Sequence, residues 1–218
     1  MKKSVYIGLV LVISLTFSAC GGGGSSATSP VVDSNAHKFI FSVKTDNIGF
    51  SADNQFTIPT KDAGYLYSVD CDNDGVFEDT GVTSNYTCDY VSPGTYEIAI
   101  EGTFPQIYFN SGMDSDREKI IILSQWGTGV WRSMNSAFFG CSNMIITATD
   151  IPNLSLVTDM TSMFRSVQGF SNDSITSWDV SNVENMTEVF SYNDFNLDIS
   201  AWDVSSVTSF YGMFNRTL

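Results

Sequence analysis

The sequence predicts a mixed fold, a small antiparallel β-sandwich followed by a β/α solenoid of about four repeats, on three observations. A phrase recurs in the C-terminal half, WDVSNVENM from Trp178 and WDVSSVTSF from Trp202, and a period in the twenties belongs to stacked repeats and not to a closed enzyme core. A triplet of the form M-x-x-(M/V/A)-F stands at Met134, Ala137 and Phe138, at Met160, Met163 and Phe164, and at Met186, Val189 and Phe190; it returns with a leading phenylalanine at Phe210, Met213 and Phe214. Upstream, the pattern changes to short stretches that alternate apolar and polar residues.

The chain opens on Lys2 and Lys3, an apolar stretch over residues 5–17 and the closing residues Phe17-Ser18-Ala19-Cys20. A basic start, an apolar middle too short to span a bilayer comfortably and a small-residue ending describe an export signal. The ending resembles the lipobox of bacterial lipoproteins, with Phe17 where the family pattern prefers an aliphatic residue; the other reading is an ordinary signal peptide cut near Ala19. The resemblance implies that residues 1–19 are a lipoprotein signal peptide and that Cys20 becomes an acylated N-terminus holding the protein to a membrane. Two or more acyl chains make such anchoring stable. GGGGSSATS at residues 21–29 then falls in a flexible tether covering residues 20–36. The expected location is the cell envelope, at the outer membrane or the cell surface.

The full sequence carries 10 basic and 24 acidic residues. Removing the leader would take two lysines with it, and so negative a surface repels a phosphate backbone, which argues against a nucleic-acid partner.

Residues 37–119 form the predicted sandwich. KFIFSVKT, NQFTIPT, YLYSVDC and TYEIAIEG each place β-branched or aromatic residues at alternate positions and end in turn formers, so each reads as an antiparallel strand. The run from Val91 to Tyr96, with YLYSVDCDNDG before it, resembles the end of a PKD-type immunoglobulin-like module, a kind that usually presents or spaces something else. In an oxidising compartment, and with Cys20 lipidated, Cys71 and Cys88 are the expected disulfide pair. Closing a loop of that size contributes about 3 kcal/mol in the chain-entropy picture. Cys141 is left as a small buried apolar residue.

Asp70-Cys71-Asp72-Asn73-Asp74-Gly75 starts as a calcium loop starts, with Asp70, Asp72, Asp74 and Glu78 as candidate ligands. The glutamate such a loop needs at its twelfth position is replaced by Gly81. The competing reading is an Asp-Gly hairpin turn with solvated carboxylates, and no cofactor is expected. Catalysis is not expected either. His37 is the one histidine, and it stands close to the tether at the start of a strand, so neither a Ser/His/Asp triad nor a histidine-rich metal site is expected. Asp179 and Asp203 recur at the same repeat position, and recurrence points to turn capping.

Residues 120–218 carry the repeats. Eight residues before the triplets stand Trp126, Pro152, Trp178 and Trp202; three before them stand Trp131, Val157, Val183 and Val207. The irregular apolar spacing fits neither a pure helix nor a pure strand. It suits a leucine-rich repeat, in which a short strand turns into a short helical or 3₁₀ segment. WDVSNVENMTEVF, FNLDISAWDVSSV, SQWGTGVWRSMNSAFFGCSNM and ATDIPNLSLVTDMTSMF resemble the repeats of BspA-like leucine-rich-repeat surface proteins of bacteria. That resemblance implies a leucine-rich-repeat-like β/α solenoid whose inward residues are Trp126, Met134, Phe138, Met160, Phe164, Trp178, Val183, Met186, Phe190, Trp202, Val207 and Phe214. The sequence stops four residues beyond Phe214. Because repeat stacks need caps, this predicts a truncated chain, a second subunit over the end, or a frayed last coil.

The function expected from these features is that of a surface-anchored, non-catalytic binding or adhesion protein presenting its repeats to a protein or glycan. The alternative is an envelope structural component that assembles by repeat stacking. A carbohydrate-processing enzyme, the third possibility, would need a carboxylate pair in a cleft.

Overall fold

The architecture is that of a computed structural model describing residues 35–109, 114–167, 169–171 and 173–217. The expected signal segment, Cys20 and the glycine-rich stretch lie outside the described residues. Nine strands occur among the described residues: β1 (Phe39–Lys44), β2 (Gln55–Ile58), β3 (Leu66–Asp70), β4 (Asp79–Val82), β5 (Tyr86–Asp89), β6 (Thr95–Thr103), β7 (Ile120–Gln125), β8 (Ile145–Ile146) and β9 (Gly169–Phe170). Seven of them form one sheet in the order β4-β3-β6-β1-β7-β8-β9, and β2 with β5 forms a two-stranded ribbon.

Alternation builds the first half. In β1, Phe39, Phe41 and Val43 enter the core, and the strand is central, paired antiparallel with β6 on one side and β7 on the other. The ribbon supplies Phe56, Ile58 and Cys88 to the same core. Phe41 and Phe56 meet across the layers at 5.7 Å. Behind the ribbon, a polar node fixes the loop between β1 and β2. Lys119, fully buried, donates to the carbonyls of Ser51, Ala52 and Gln55 at 2.8–3.0 Å. Asp116 accepts from the N–H groups of Phe50, Ser51 and Thr57 at 2.7–2.8 Å. Burial pulls the Lys119 ammonium below its usual range, and the Asp116 carboxylate 4.0 Å away opposes that shift.

The sheet changes character at β7. On one edge it is antiparallel to β1; on the other it is parallel to β8, with Ile122 opposite Ile145 and Leu123 opposite Ile146, and β8 is in turn parallel to β9. The residues from Asp33 to Leu218 accordingly cluster as one compact unit, with one hydrophobic core running from Phe39 to Met213.

Beyond β7 the four triplets lie one above another as stacked coils. The N–H groups of Met134, Ser136, Phe138 and Gly140 donate to the carbonyls of Asp159, Thr161, Met163 and Arg165 at 2.8–3.0 Å. Met160, Ser162, Phe164 and Ser166 donate in the same way to Asn185, Thr187, Val189 and Ser191, and Met186, Glu188, Phe190 and Tyr192 to Ser209, Tyr211, Met213 and Asn215. Intervening N–H groups turn back within the coil, as from Ala137 to Met134 and from Cys141 to Phe138. Every second donor is therefore spent along the stack.

That pattern overturns the expected fold class. The first half is not a sandwich of two matched sheets, because its large sheet continues into the repeats and its second layer is a two-stranded ribbon. Nor are the repeats a β/α solenoid. No α-helix occurs among the described residues; there are only two 3₁₀ segments, Arg117–Lys119 and Ser174–Ser177. The physical reason is that each coil enters the left-handed region twice, four residues apart: Ser136 and Gly140, Ser162 and Ser166, Glu188 and Tyr192, Gly212 and Arg216 all have φ between 52° and 72°. A right-handed helix cannot pass through such residues. The strain of about 1–2 kcal/mol per non-glycine residue is offset by four cross-coil bonds worth about 1 kcal/mol each and by the side chains they align. Phe138, Phe164, Phe190 and Phe214 stack in file with ring centroids 5.7–6.1 Å apart.

The missing tryptophan has a use in this stack. Pro152 is buried in the second coil, and Trp126 of the first coil reaches across to Trp178 of the third, 5.2 Å away and edge to face. Of the other expected core residues, Met134, Met160, Val183 and Met186 are completely buried, Trp202 is buried with its indole N–H donating to the Ile175 carbonyl, and Val207 is partly buried. Phe214 is 48% exposed, because no further coil covers it among the described residues.

Two outcomes are expected from this fold. Ser166→Val, which puts a β-branched residue at φ 62°, lowers stability by about 1–2 kcal/mol in urea unfolding, whereas Ser166→Gly stays within about 1 kcal/mol of the parent. The phenols of Tyr65, Tyr67 and Tyr90 donate to the carbonyls of Gln106, Ser84 and Cys71, and burial raises all three above the ordinary tyrosine range. The folded state holds these protons more tightly than the unfolded chain does. Stability is thus retained below about pH 10 and falls as the pH rises beyond it. Absorbance titration should show these tyrosines ionising together with unfolding, separately from the exposed ones.

Candidate binding surface

Stacking brings together residues that are far apart in sequence and occupy slightly different repeat positions. One and two residues past the triplet phenylalanines, the coils present Phe139, Arg165, Tyr192 and Arg216, while Arg117 comes from the 3₁₀ segment before β7. They form an alternating file. The Arg117 guanidinium lies 6.0 Å from the Phe139 ring and that of Arg165 lies 5.5 Å from it. Arg165 and Arg216 each stand 5.1 Å from the Tyr192 ring. Gly140 makes room for this, since a Cβ there would come within 2.9 Å of Arg117 Cδ.

Three of the four arginines of a strongly acidic chain thus share one surface. Each exposed cation–π contact contributes about 0.5–1 kcal/mol. Its larger effect is to hold a planar guanidinium by its face, which restricts the motion of the side chain. The carboxylate within the file is Glu188, which pairs with Arg165 and accepts a hydrogen bond from the Ser162 hydroxyl at 3.4 Å. Arg165 and Glu188 side chains are 26% and 23% exposed, and Tyr192 is 41% exposed.

Three of the four calcium candidates come together. Carboxylate oxygens of Asp70, Asp72 and Asp74 lie within 4.8 Å of one another. The completely buried Asp70, however, already accepts from the N–H groups of Asp74 and Gly75 at 3.1 and 3.0 Å, and Lys38 Nζ is 3.8 Å from it. Glu78 faces the backbone N–H of Cys71 at 2.6 Å. These contacts make Asp70 the internal clasp of the loop, with Lys38 as its counter-charge. Cys71 and Cys88 are joined, tying the end of β3 to β5. Cys141 is a free, buried thiol that burial pushes well above its usual range.

An open cleft of about 360 Å³ lies beside the disulfide, walled by Tyr86, Tyr90 and Tyr96 and bordered by Asp72, Glu78 and Asp89. Tyr90 and Tyr96 stack at 3.7 Å. His37 lies elsewhere, 3.0 Å from Glu101. Asp179 and Asp203 accept backbone hydrogen bonds from Ser181 and Ser205, and serine donors hold both carboxyls below the usual range. They close turns.

Sequence reasoning singled out none of the arginines. Their signal was faint: two of the four coils place an arginine just after the triplet, but one position out of step, at Arg165 and Arg216.

Asp70→Ala should cost about 3–5 kcal/mol, because it strands a buried ammonium and leaves two loop donors without acceptors. Asp72→Ala, at an exposed position, should stay within about 0.5 kcal/mol. Thermal unfolding of the two variants decides whether the clasp or the acidity of the loop matters.

Residues 132–218 match a family described as Mycoplasma protein of unknown function, DUF285. The match begins two residues before Met134 and takes in all four triplets together with Phe139, Arg165, Tyr192 and Arg216. No curated protein and no solved structure matches the chain.

Proposed function

We propose that the chain is a surface-anchored, non-catalytic binding protein that holds a protein or glycan ligand against its stacked coils. The observation that carries this reading is the arginine–aromatic file, a row of pre-oriented cationic groups on a chain whose charge is otherwise acidic. Rigid side chains that meet a ligand without first losing rotamer freedom are the economical way to build an interface. No helix among the described residues is long and apolar enough to cross a membrane. The reading agrees with the lipobox and with the surface role that the BspA-like resemblance implies.

Cells displaying the full chain should adhere to immobilised surface proteins or glycans more than an empty strain does. Arg216→Glu should reduce that gain, and Cys20→Ser should abolish it by releasing the protein from the membrane fraction. Equal adherence with and without the protein would refute the reading. Assembly through the last coil is a second reading, favoured by the exposure of Phe210, Tyr211 and Phe214; chain running on past Leu218 would cover the same residues. Light scattering that grows with concentration and is lost in Phe214→Asp separates assembly from ligand binding.

A further inference from the structure

We infer that the tyrosine-walled cleft beside the disulfide is a second binding site, one that takes an organic ammonium group. Its lining comes from the N-terminal strands and their loops alone, so the inference stands or falls apart from the role proposed for the coils.

The strands build the cleft. β5 ends at Asp89 and the chain runs on through Tyr90 and Val91, while Cys71 and Asp72 follow the end of β3. The disulfide between Cys71 and Cys88 holds these two segments together, with 5.8 Å between their Cα atoms. Tyr96, from β6, stacks on Tyr90, and both phenols are tied to the backbone: Tyr90 donates to the Cys71 carbonyl at 2.7 Å and Tyr96 to the Ser92 carbonyl at 2.8 Å. The aromatic wall is therefore fixed before a ligand arrives. The space it borders, about 360 Å³, lies at the small end of the range for small-ligand pockets.

Charge selects a cation. Asp72, Glu78 and Asp89 border the cleft, and no lysine, arginine or histidine is among its lining residues. Glu78 accepts from the Cys71 N–H and Asp89 from the Asn54 side-chain amide, neutral donors that leave both charges standing. Lys38 is already set against the buried Asp70 at 3.8 Å. Burial raises the Tyr90 and Tyr86 phenols, and carboxylates raise them further, Glu78 and Asp72 at the first and Asp79 and Glu78 at the second. Both rings are thus neutral at physiological pH, and the charges that reach them are negative.

Breadth selects an organic cation over a metal ion. Among the described residues, the acidic group whose oxygens close to within 4.8 Å of one another is Asp70, Asp72 and Asp74. Asp72, Glu78 and Asp89 form no such group, whereas two oxygens bound to one calcium ion at about 2.3–2.6 Å lie no more than about 5 Å apart. A wider organic cation can lie against the ring faces, which attract positive charge, with the carboxylates around it. Tyr86 is the ring best placed for this. It is half-buried and meets no other described ring, whereas Tyr90 and Tyr96 each give one face to the other. A lysine side chain and a free quaternary amine share this chemistry, and the experiment separates them.

The test is saturation-transfer NMR on the purified full-length chain with three probes, titrated up to about 10 mM: choline, its uncharged isostere neohexanol, and Nα-acetyl-lysine N-methylamide. Choline or the lysine amide should bind at least about tenfold more tightly than neohexanol. Choline ahead assigns the cleft to a free amine, and the lysine amide ahead assigns it to a side chain of a protein partner; either order supports the inference. Affinity for the better probe should fall about tenfold in Glu78→Gln and in Tyr86→Leu, and about threefold in Asp72→Asn. Glu78→Gln keeps an acceptor for the Cys71 N–H, and Asp72→Asn alters an exposed side chain, so both should leave the melting temperature unchanged. Should Tyr86→Leu unsettle β5, these two variants decide. Equal binding of neohexanol, no transfer to any probe, affinities untouched by the two carboxylate variants, or displacement of the probe by about 1 mM calcium would each overturn the inference. So would a neutral disaccharide that competes for the cleft and binds more tightly than either cation.

Discussion

In the stacked half of this protein, each coil must present hydrogen-bond donors along the stack at every second residue. These bonds join the coils through the backbone alongside the parallel pairing of β7, β8 and β9. Met134, Ser136, Phe138 and Gly140 meet the requirement in the first coil, and the equivalent residues meet it in the next two. The left-handed residues follow from it, since they rotate alternate N–H groups out of the coil's own turns. So does the division of labour among side chains. In the first three coils, residues at the start of the turn run and four further on, the methionines and phenylalanines, are directed into the core. The positions just beyond them are left on the outside, where Phe139, Arg165, Tyr192 and Arg216 stand.

A stack built this way needs a beginning, and β7 provides it. Paired to β1 on one edge and to β8 on the other, it gives the first coil a ready-made neighbour and denies it an open edge, which is the work a capping repeat does in other arrays. The aromatic core crosses this seam without a break. Phe39 meets Trp131 edge to face at 5.0 Å, and Trp126 meets both Trp131 and Trp178. The Lys119–Asp116 node pins the segment that leads into β7 to the loop between β1 and β2. The N-terminal strands therefore belong to the same folded body as the coils, joined to them by sheet hydrogen bonds and by a common core.

Side-chain alternation makes β1, β2, β3 and β6 readable from the sequence, because apolar residues recur there at every second position. The short strand β4, DTGV, carries no such alternation and exists because β3 offers it a partner; β5, YTCD, alternates only over Tyr86 and Cys88 and pairs with β2. The IIILSQ segment reads as the start of the repeats, and it is also a strand of the N-terminal sheet, a double role that composition cannot reveal. The repeat period is plain in the sequence, but the secondary structure inside it is not. Apolar spacing cannot register that Glu188, Tyr192 and Arg216 have positive φ; the cross-coil bonds impose that conformation on residues with no preference for it. The disulfide is legible from cysteine arithmetic. The arginine file is not, since its members come from different repeat positions and meet only when the coils are stacked.

Net charge is a poor guide to the local charge of this protein's surface. Much of its acidity is turn chemistry: Asp179, Asp198 and Asp203 are exposed residues whose carboxylates accept hydrogen bonds from the serine two positions on. Such aspartates accumulate in proportion to the number of turns and carry no message for a partner. Arginine is scarce here, and that scarcity gives its clustering meaning. A lysine could supply the same charge at those positions, but its ammonium has no flat face to lay against Phe139 or Tyr192 and would sweep through solvent on a flexible stem. Arg165, set against both Phe139 and Tyr192, gives up its side-chain freedom during folding. The stack that forces the backbone into strained turns is thus the same device that holds the cationic groups in line.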